Sequence, residues 1–167
     1  MTQSRSDLTH GEYAPAFFGL MATRVMDRIL EQAAPAMQAA GVKVPARATS
    51  TLLLLARRPM TVTEIAERLG YTHAAIIKLS RVLIEAGFAE RGEDEQDARR
   101  KPLSLTAPGR AQARAADAFM RRAGAAYRAL FKEIGMDVFD GLTRMEDALT
   151  RKDFGTRMAE VQGLSTG

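Results

Sequence analysis

The chain has 167 residues, of which 46% are hydrophobic and 26% are charged, and its formal net charge at pH 7 is +4. This length and composition favour one globular domain over a disordered chain, and the basic balance suits a polyanionic partner without proving one. The lack of cysteine in the sequence excludes disulfides, thiolate nucleophiles and cysteine-ligated zinc.

The N-terminal segment, residues 1–13, is polar and lacks the apolar stretch of a secretory signal. The longest apolar run in the chain, residues 52–56, is far shorter than the roughly 18 residues of a membrane span. We therefore expect a cytoplasmic protein that makes no membrane contact.

The first predicted helix runs from Tyr13 to about Ala33 and has two apolar strips. Because one strip lies beside the other, the helix should pack on two sides, one of which could face a partner chain. Pro35 is expected to kink or end this helix, and a second helix should run to about Arg57. The strips are Phe17, Met21, Val25 and Ile29, and Phe18, Leu20, Met26 and Leu30.

Two short helices joined by a tight turn are predicted next. The sequence TVTE predicts a capping box, in which the Thr61 hydroxyl accepts from the backbone of Glu64 and the Glu64 side chain reaches back. This helix should stop at Gly70, and Thr72 should cap a second helix over residues 73–86. Such a pair is a helix-turn-helix unit. The expected core stripe of the second helix is Ile76, Leu79, Leu83 and Ala86, and Gly87 should close it.

After the second helix the apolar period changes to alternation. FAER precedes an acidic loop, GEDEQD, and RRKPLSL follows it, which predicts a two-stranded hairpin. Leu103 and Leu105 should face inward, and Pro102, which cannot donate a ladder hydrogen bond, should leave a free strand edge. A helix-turn-helix followed directly by a hairpin is a winged helix, with residues 88–105 as the wing.

Two more helices are predicted after the wing. Thr106, with Pro108 in the first turn, opens an alanine-rich helix to about Phe131. A last helix, near residues 137–150, has coiled-coil-like spacing, and the tail from Gln162 should be loose. The close-packing side of the first is Ala115, Ala116, Phe119, Ala123, Ala126 and Leu130, and the coiled-coil-like positions are Val138, Leu142, Met145 and Leu149.

The second helix of the helix-turn-helix has an outward face that suits a DNA groove. Small residues near its start allow close approach to base edges, Ile77 could touch a thymine methyl, and Lys78 or Arg81 could reach guanine or a phosphate. In the competing interpretation Ile77 packs on a neighbouring helix and His73 is only a surface residue. The predicted contacts are Thr72, His73, Ala74, Ile77, Lys78 and Arg81.

The wing carries several cations beside one acid. A cation that reaches into a narrow minor groove meets concentrated negative potential, and Arg99 is the predicted side chain. Asp97 could pair with the guanidinium and hold it extended. Alternatively the hairpin is merely solvated, because its acidic loop would repel phosphates. The predicted wing contacts are Asp97, Arg99, Arg100 and Lys101.

The segments TVTEIAERLGYTHAAIIKLSRVLIEAGFAER and DARRKPLSLTAPGR resemble the multiple-antibiotic-resistance regulator (MarR) family of bacterial winged-helix transcription factors, with Asp97 and Arg99 on the family's D-x-R wing motif. The resemblance implies a mainly α fold with a small β-hairpin wing, in an obligate homodimer whose N- and C-terminal helices intertwine. It also implies two lobes that read a palindromic operator, and a pocket for a small, often aromatic, ligand.

Some residues depart from the family pattern. Ile77 stands where the family commonly has Ser or Thr. Oxidant-sensing members use cysteine, and metal-sensing ones need His and acidic clusters, whereas His10 and His73 are far apart, so we expect neither a metal nor another cofactor. The expected organisation is an N-terminal dimerisation helix (residues 1–45), a winged helix-turn-helix lobe (46–105), and C-terminal dimerisation helices and tail (106–167).

The sequence thus predicts a ligand-responsive dimeric regulator, expected to be a repressor, that binds an inverted repeat of duplex DNA through helix 73–86 and wing 88–105. The effector would be a small aromatic or anionic molecule; Arg24, Arg110 and Arg114 could meet an anion or simply be solvated. The alternative is a winged-helix protein-interaction module without sequence-specific DNA binding. An enzyme is not expected, because the sequence has no nucleophile paired with a base, no glycine-rich phosphate loop and no metal-ligand spacing.

Overall fold

The structure is a computed structural model that describes residues 11–92 and 102–164. The chain divides into two compact units, Met1–Met120 and Arg121–Gly167. The first unit contains a short 3₁₀ helix (Ala14–Phe17), α1 (Phe18–Ala39), α2 (Ala46–Leu55), α3 (Val62–Leu69), α4 (His73–Glu85), β1 (Ala89–Arg91), β2 (Leu103–Leu105) and the first half of α5 (Ala107–Glu133). The second contains the rest of α5, α6 (Val138–Arg151) and α7 (Phe154–Leu164).

A single apolar core joins α2, α3, α4, the hairpin and the start of α5 in the first unit. Each element contributes one face, so that α4, for example, packs on both α2 and α3. The largest fully buried apolar side chains are Leu52, Ile65, Ile76, Leu83 and Leu103. The core therefore holds the helix-turn-helix and the hairpin as one packed lobe.

The capping box and the turns of the helix-turn-helix are confirmed. Thr61 Oγ1 accepts from the Glu64 backbone N–H at 3.2 Å, and the Thr61 N–H donates to Glu64 Oε2 at 2.7 Å. Gly70 ends α3 at φ +64°, and Gly87 follows α4 at φ +71°, both in the left-handed region that glycine enters without strain. Local sequence signals thus determine where these two helices begin and end.

The core stripe of α4 differs from the prediction at two positions. Ile76 and Leu83 are fully buried, as predicted, but Ala86 is exposed and Ser80 is buried instead. Ser80 lies four residues after Ile76 and three before Leu83, so it is on the same stripe. Ala86 is the C-cap residue, beyond the last turn that packs on the core.

Strand β2 has a second pairing partner besides β1, which the sequence did not predict. β1 and β2 are antiparallel, with Ala89 opposite Leu105 and Arg91 opposite Leu103, and both leucines are buried as predicted. On the other side of β2, Leu103 exchanges two backbone hydrogen bonds with Met60, at 2.8 and 3.1 Å. The prediction of a free edge beside Pro102 is therefore wrong for β2, because one extended residue suffices to pair with Leu103.

Two glutamine contacts and one threonine contact attach α5 to the lobe. Gln112 Oε1 accepts from the Lys43 N–H at 2.8 Å, and Gln112 Nε2 donates to the Gly41 carbonyl at 3.1 Å. The Thr106 hydroxyl donates to the Gly87 carbonyl at 2.6 Å and accepts from the Gly109 N–H at 3.1 Å, which confirms Thr106 as the start of the helix. The connection from α1 to α2 and the end of α4 are thus both bonded to the same helix.

Helix α1 continues past Pro35 to Ala39, so this proline does not end the helix, and the predicted end near Ala33 is wrong. A proline removes one backbone donor, here the bond to the Glu31 carbonyl, and the neighbouring turns retain theirs. No residue of α1 is buried. Its exposed large apolar side chains are Phe18, Leu20, Met21, Val25, Met26 and Leu30.

The second unit likewise exposes apolar side chains along its helices and in the connection between α5 and α6. The last predicted helix is confirmed as α6, and Asp137 caps it through a 3.0 Å bond from the Asp140 N–H to Asp137 Oδ1. Helix α7 was not predicted, and it continues to Leu164 although the tail from Gln162 was expected to be loose. None of the helices within the described residues is long and apolar enough to cross a membrane. The exposed side chains are Leu130, Ile134, Met136, Phe139, Leu142, Met145, Leu149, Phe154, Met158 and Val161.

Candidate nucleic-acid interface

Helix α4 has a buried side and an exposed side, and the predicted contacts lie on the exposed one. Burial of Ile76, Ser80 and Leu83 turns the opposite side of the helix to solvent. The exposed side chains on that side are His73, Ala74, Ile77, Lys78, Arg81 and Glu85. All the contacts predicted on this helix are therefore brought together on one surface.

The start of α4 combines a cap with small side chains. Thr72 is the N-cap, and its Oγ1 accepts from the Ala75 N–H at 3.2 Å. Its hydroxyl proton remains able to donate to an outside acceptor, since a hydroxyl both accepts and donates. Ala74, one turn before Lys78, offers only a methyl group, so a partner surface can approach the helix closely at this end.

Glu85 is a member of this surface that sequence analysis missed. It lies four residues after Arg81, on the same exposed side, and it is the last residue of α4. The spacing of four residues from Arg81 would have placed Glu85 on this surface from the sequence alone. A carboxylate at this end confines the cationic part of the surface to the span between His73 and Arg81.

The wing contributes described residues only at its base. Arg91 ends β1 and is exposed, and the Gly92 N–H donates to the Pro102 carbonyl at 2.7 Å, which extends the pairing by one step. Arg91 is a second cation that sequence analysis did not single out, although FAER contains it. The predicted contacts Asp97, Arg99, Arg100 and Lys101 lie outside the described residues.

A cluster of charges supports the start of α3 next to the Met60–Leu103 bridge. Arg58 donates to Glu64 Oε1 at 2.9 Å and to the Pro59 carbonyl at 3.0 Å. The hydrogen bond from the Thr61 backbone, followed by that from Arg58, lowers the pKa of Glu64 to about 2. Glu64 is therefore ionised throughout the physiological range and holds Arg58 against the lobe.

The three arginines considered for an anionic effector differ in their contacts. Arg110 Nη1 donates to the Leu105 carbonyl at 2.8 Å, which ties this side chain to the end of β2. Arg24 and Arg114 are exposed. Among the residues that the structure describes, no group of three or more His, Cys, Asp or Glu side chains is placed to hold a metal ion.

Comparison with known proteins gave one family and several solved structures. The MarR family model matches residues 41–100. The adhesin competence repressor AdcR of Streptococcus pyogenes has a TM-score of 0.59 at 18% identity, over 81% of this chain and 96% of that one. The heme sensor protein PefR of Streptococcus agalactiae, in complex with heme, has a TM-score of 0.55 at 16% identity, over 81% and 96%. A variant of Lactococcus lactis ZitR has a TM-score of 0.51 at 22% identity, over 77% and 97%.

A separate comparison with curated proteins gave no significant match. At these identities the solved structures establish the fold, and the family model adds a match in sequence over α2, the helix-turn-helix and the first part of the wing. Residues 41–100 thus resemble the MarR family in sequence, and the chain has the winged-helix fold of these solved structures.

Proposed function

We propose that the protein is a dimeric transcriptional regulator that binds an inverted repeat of duplex DNA and responds to a small effector. The observation that carries this proposal is the exposed side of α4, where Lys78 and Arg81 stand beside small residues on the second helix of a helix-turn-helix. In this motif the second helix lies in the major groove, with its N-terminal residues against the base edges.

The charge of the surface supports a polyanionic partner. Lys78, Arg81 and the wing-base cation Arg91 are all exposed, and Arg99, Arg100 and Lys101 follow in the wing sequence. We propose that the wing cations contact the phosphate backbone or the minor groove while α4 contacts base edges. Glu85 limits the cationic surface at one end.

The exposed apolar side chains support a homodimer. Large apolar patches on a protein surface mark an interface. Helix α1 and the helices of the second unit each carry such side chains, which no other described part of the chain buries. A twofold dimer would place two copies of α4 about one DNA turn, roughly 34 Å, apart, so that the operator is an inverted repeat.

The test is an electrophoretic mobility-shift titration of the purified protein with mixed-sequence duplex DNA at low salt. Binding should occur and should weaken steeply as salt rises, because each neutralised phosphate releases counterions. A protein that remains unbound at low salt would contradict the proposal.

The same titration separates the second candidate, a protein-interaction module. Exposed Tyr71 and Ile77 on the lobe favour that candidate, because large apolar side chains commonly form the centre of protein interfaces. Such a module would leave duplex DNA unbound at every salt concentration.

For the effector we propose a small aromatic or anionic molecule. A ligand shifts a regulator between states only if it binds one state better than the other. A thermal-shift screen with aromatic acids, heme and divalent metal ions as separate arms tests this class. A compound that raises the melting temperature should also change DNA affinity, and a response confined to heme or a metal ion would contradict the proposed class.

A further inference from the structure

Ile77 is unusual in the winged-helix lobe because it is a large apolar side chain turned to solvent. Within the described lobe, residues 41–92 and 102–105, only Tyr71 and Ile77 are exposed large apolar side chains, at 49% and 37%. The lobe does not need Ile77 for its core, since Ile76, Ser80 and Leu83 form the buried side of α4. Nor does it aid helix formation, because β-branched residues are weaker helix formers than alanine.

The neighbours of Ile77 point to what would cover it. Ala74 lies three residues before it and leaves room for a close approach, while Lys78 and Arg81 flank it with positive charge. An apolar side chain bordered by exposed cations is complementary to a surface that is anionic at its rim and locally apolar at its centre. The major groove of duplex DNA has this character wherever a thymine occurs.

Thymine is distinguished in the major groove by its C5 methyl group, next to the O4 acceptor. The other base edges present there are hydrogen-bond donors and acceptors, which Ile77 can neither accept from nor donate to. Lys78 and Arg81 are the side chains suited to guanine or phosphate. The polar and apolar parts of the α4 surface thus match different features of a base sequence.

We propose that Ile77 contacts a thymine C5 methyl in each half-site and so requires an A·T pair, with thymine on one defined strand, at one position of the operator. This inference rests on the proposed function. It assigns a specificity role to a residue with no hydrogen-bonding group, and it names one base pair of an operator that is otherwise unknown.

The experiment begins with selection of binding duplexes from a random-sequence library with the wild-type protein. In the selected duplex, each thymine is replaced in turn by deoxyuracil, symmetrically in both half-sites, which removes only the methyl group and keeps base pairing. At one position the wild type should lose about fourfold in affinity per half-site, the value expected for one buried carbon group. Ile77→Ala should bind the thymine and deoxyuracil duplexes equally well.

Lys78→Ala is the matched control on the next residue of α4. It should weaken binding to both duplexes and retain the ratio between them, because a lysine does not contact a methyl group specifically. Circular dichroism should show Ile77→Ala melting as the wild type does, since the side chain lies outside the core.

The outcomes separate the two proposals. If no duplex is enriched, the proposed function fails and the inference fails with it. If duplexes are enriched but the wild type is insensitive to every replacement, or Ile77→Ala keeps the sensitivity of the wild type, the inference is overturned and the proposed function stands.

Discussion

At the scale of single residues, Lys78 gives the clearest prediction for DNA affinity. Its ammonium group is on the exposed side of α4, and a phosphate contact would release counterions on binding. We expect Lys78→Ala to weaken binding across operator sequences and to reduce the slope of log affinity against log salt by about 1. A mobility-shift titration at several salt concentrations measures both.

Lys132→Ala is the charge-matched control. Lys132 is exposed in the last turn of α5, outside the winged-helix lobe, and its loss removes the same charge. An equal effect of the two substitutions would mean that only net charge matters.

Arg99 supports a prediction for the wing that rests on its sequence. A guanidinium in the minor groove is favoured by the concentrated negative potential there. We expect Arg99→Ala to weaken operator binding roughly tenfold without lowering the melting temperature. Arg99→Lys, which keeps the charge, should retain more affinity than Arg99→Ala. Unchanged binding of Arg99→Ala in a mobility-shift titration would rule out a role for this side chain.

Gly109 provides a prediction about stability. A Cβ at this position would lie 1.8 Å from the Phe88 carbonyl oxygen and 2.8 Å from its carbon, both backbone atoms that cannot turn aside. We expect Gly109→Ala to lower the free energy of unfolding by about 3 kcal/mol or more. Urea denaturation followed by circular dichroism measures the change.

Gly124 is the matched control within the same helix. Its Cβ would meet only Arg128 Nη1, at 3.6 Å, the far end of a flexible side chain. Because glycine is a poor helix former, Gly124→Ala should be neutral or stabilise by up to about 1 kcal/mol. Destabilisation of both variants to the same extent would show that the close approach of Phe88 is not the cause.

At the scale of elements, the start of α3 makes stability depend on pH. The pKa of Glu64 is lowered from 4.5 to about 2, first by the Thr61 backbone and then by Arg58. Between these values the unfolded chain binds a proton that the folded chain does not. The stabilisation by this carboxylate is therefore fully present above the unfolded pKa and is lost as pH falls toward 2.

We expect Glu64→Gln to cost about 1 kcal/mol at pH 7, as for other helix caps, and to approach the wild type in stability as pH falls from 5 to 2.5. Chemical denaturation at a series of pH values measures the difference. The pKa of Asp153 is also lowered, chiefly by the side-chain hydrogen bond from Thr156, but both proteins share that group. If the difference in stability between Glu64→Gln and the wild type stayed constant with pH, this account of the cap would be wrong.

Elements with local signals were predictable, and those that depend on tertiary contacts were not. Thr61, Gly70 and Thr72 act within a few residues of themselves, so the sequence determined the bounds of α3 and the start of α4. Met60 pairs with Leu103 across more than forty residues, and one extended residue has no periodicity to detect. Helix α7 contains two glycines, and its clearest signal was the Asp153 cap, whose Oδ1 accepts from the Thr156 N–H.

The same distinction between local sequence signals and tertiary contacts applies to the candidate site. The exposed side of α4 was predictable because its core stripe has helical spacing, although Ala86 was wrongly included in the stripe and Ser80 was left out. For Ile77 the sequence left two interpretations open, exposure on the outward face or packing on a neighbouring helix, because an isoleucine in a helix is compatible with a core as well as with a surface. Only the packing of α4 on α2 and α3 distinguishes these two possibilities.

At the scale of the whole molecule, the exposed apolar side of α1 predicts that the stability of the folded protein depends on the protein concentration. Val25 is half exposed in a helix that has no buried residue. If a second copy covers this helix, then Val25→Glu should place a charge in the interface, yield monomers and abolish operator binding. The wild-type melting temperature should rise with protein concentration, as expected for a dimer.

Light scattering after size-exclusion chromatography measures the mass of each variant. Gln32→Glu, which adds a charge at an exposed polar position of the same helix, should remain dimeric. A wild type that elutes as a monomer, or a dimeric Val25→Glu, would contradict the proposed interface.

The bridge between Met60 and Leu103 constrains how such a protein can be switched. Met60 immediately precedes the cap of α3, and Leu103 lies in the wing strand, so the wing cannot tilt without breaking two backbone bonds or displacing the start of the helix-turn-helix. Thr106, bonded to Gly87, imposes the same limit at the other end of the hairpin. If the protein is the proposed dimeric regulator, an inducer would release the operator by changing the distance between the two winged-helix lobes, each of which moves as a rigid unit.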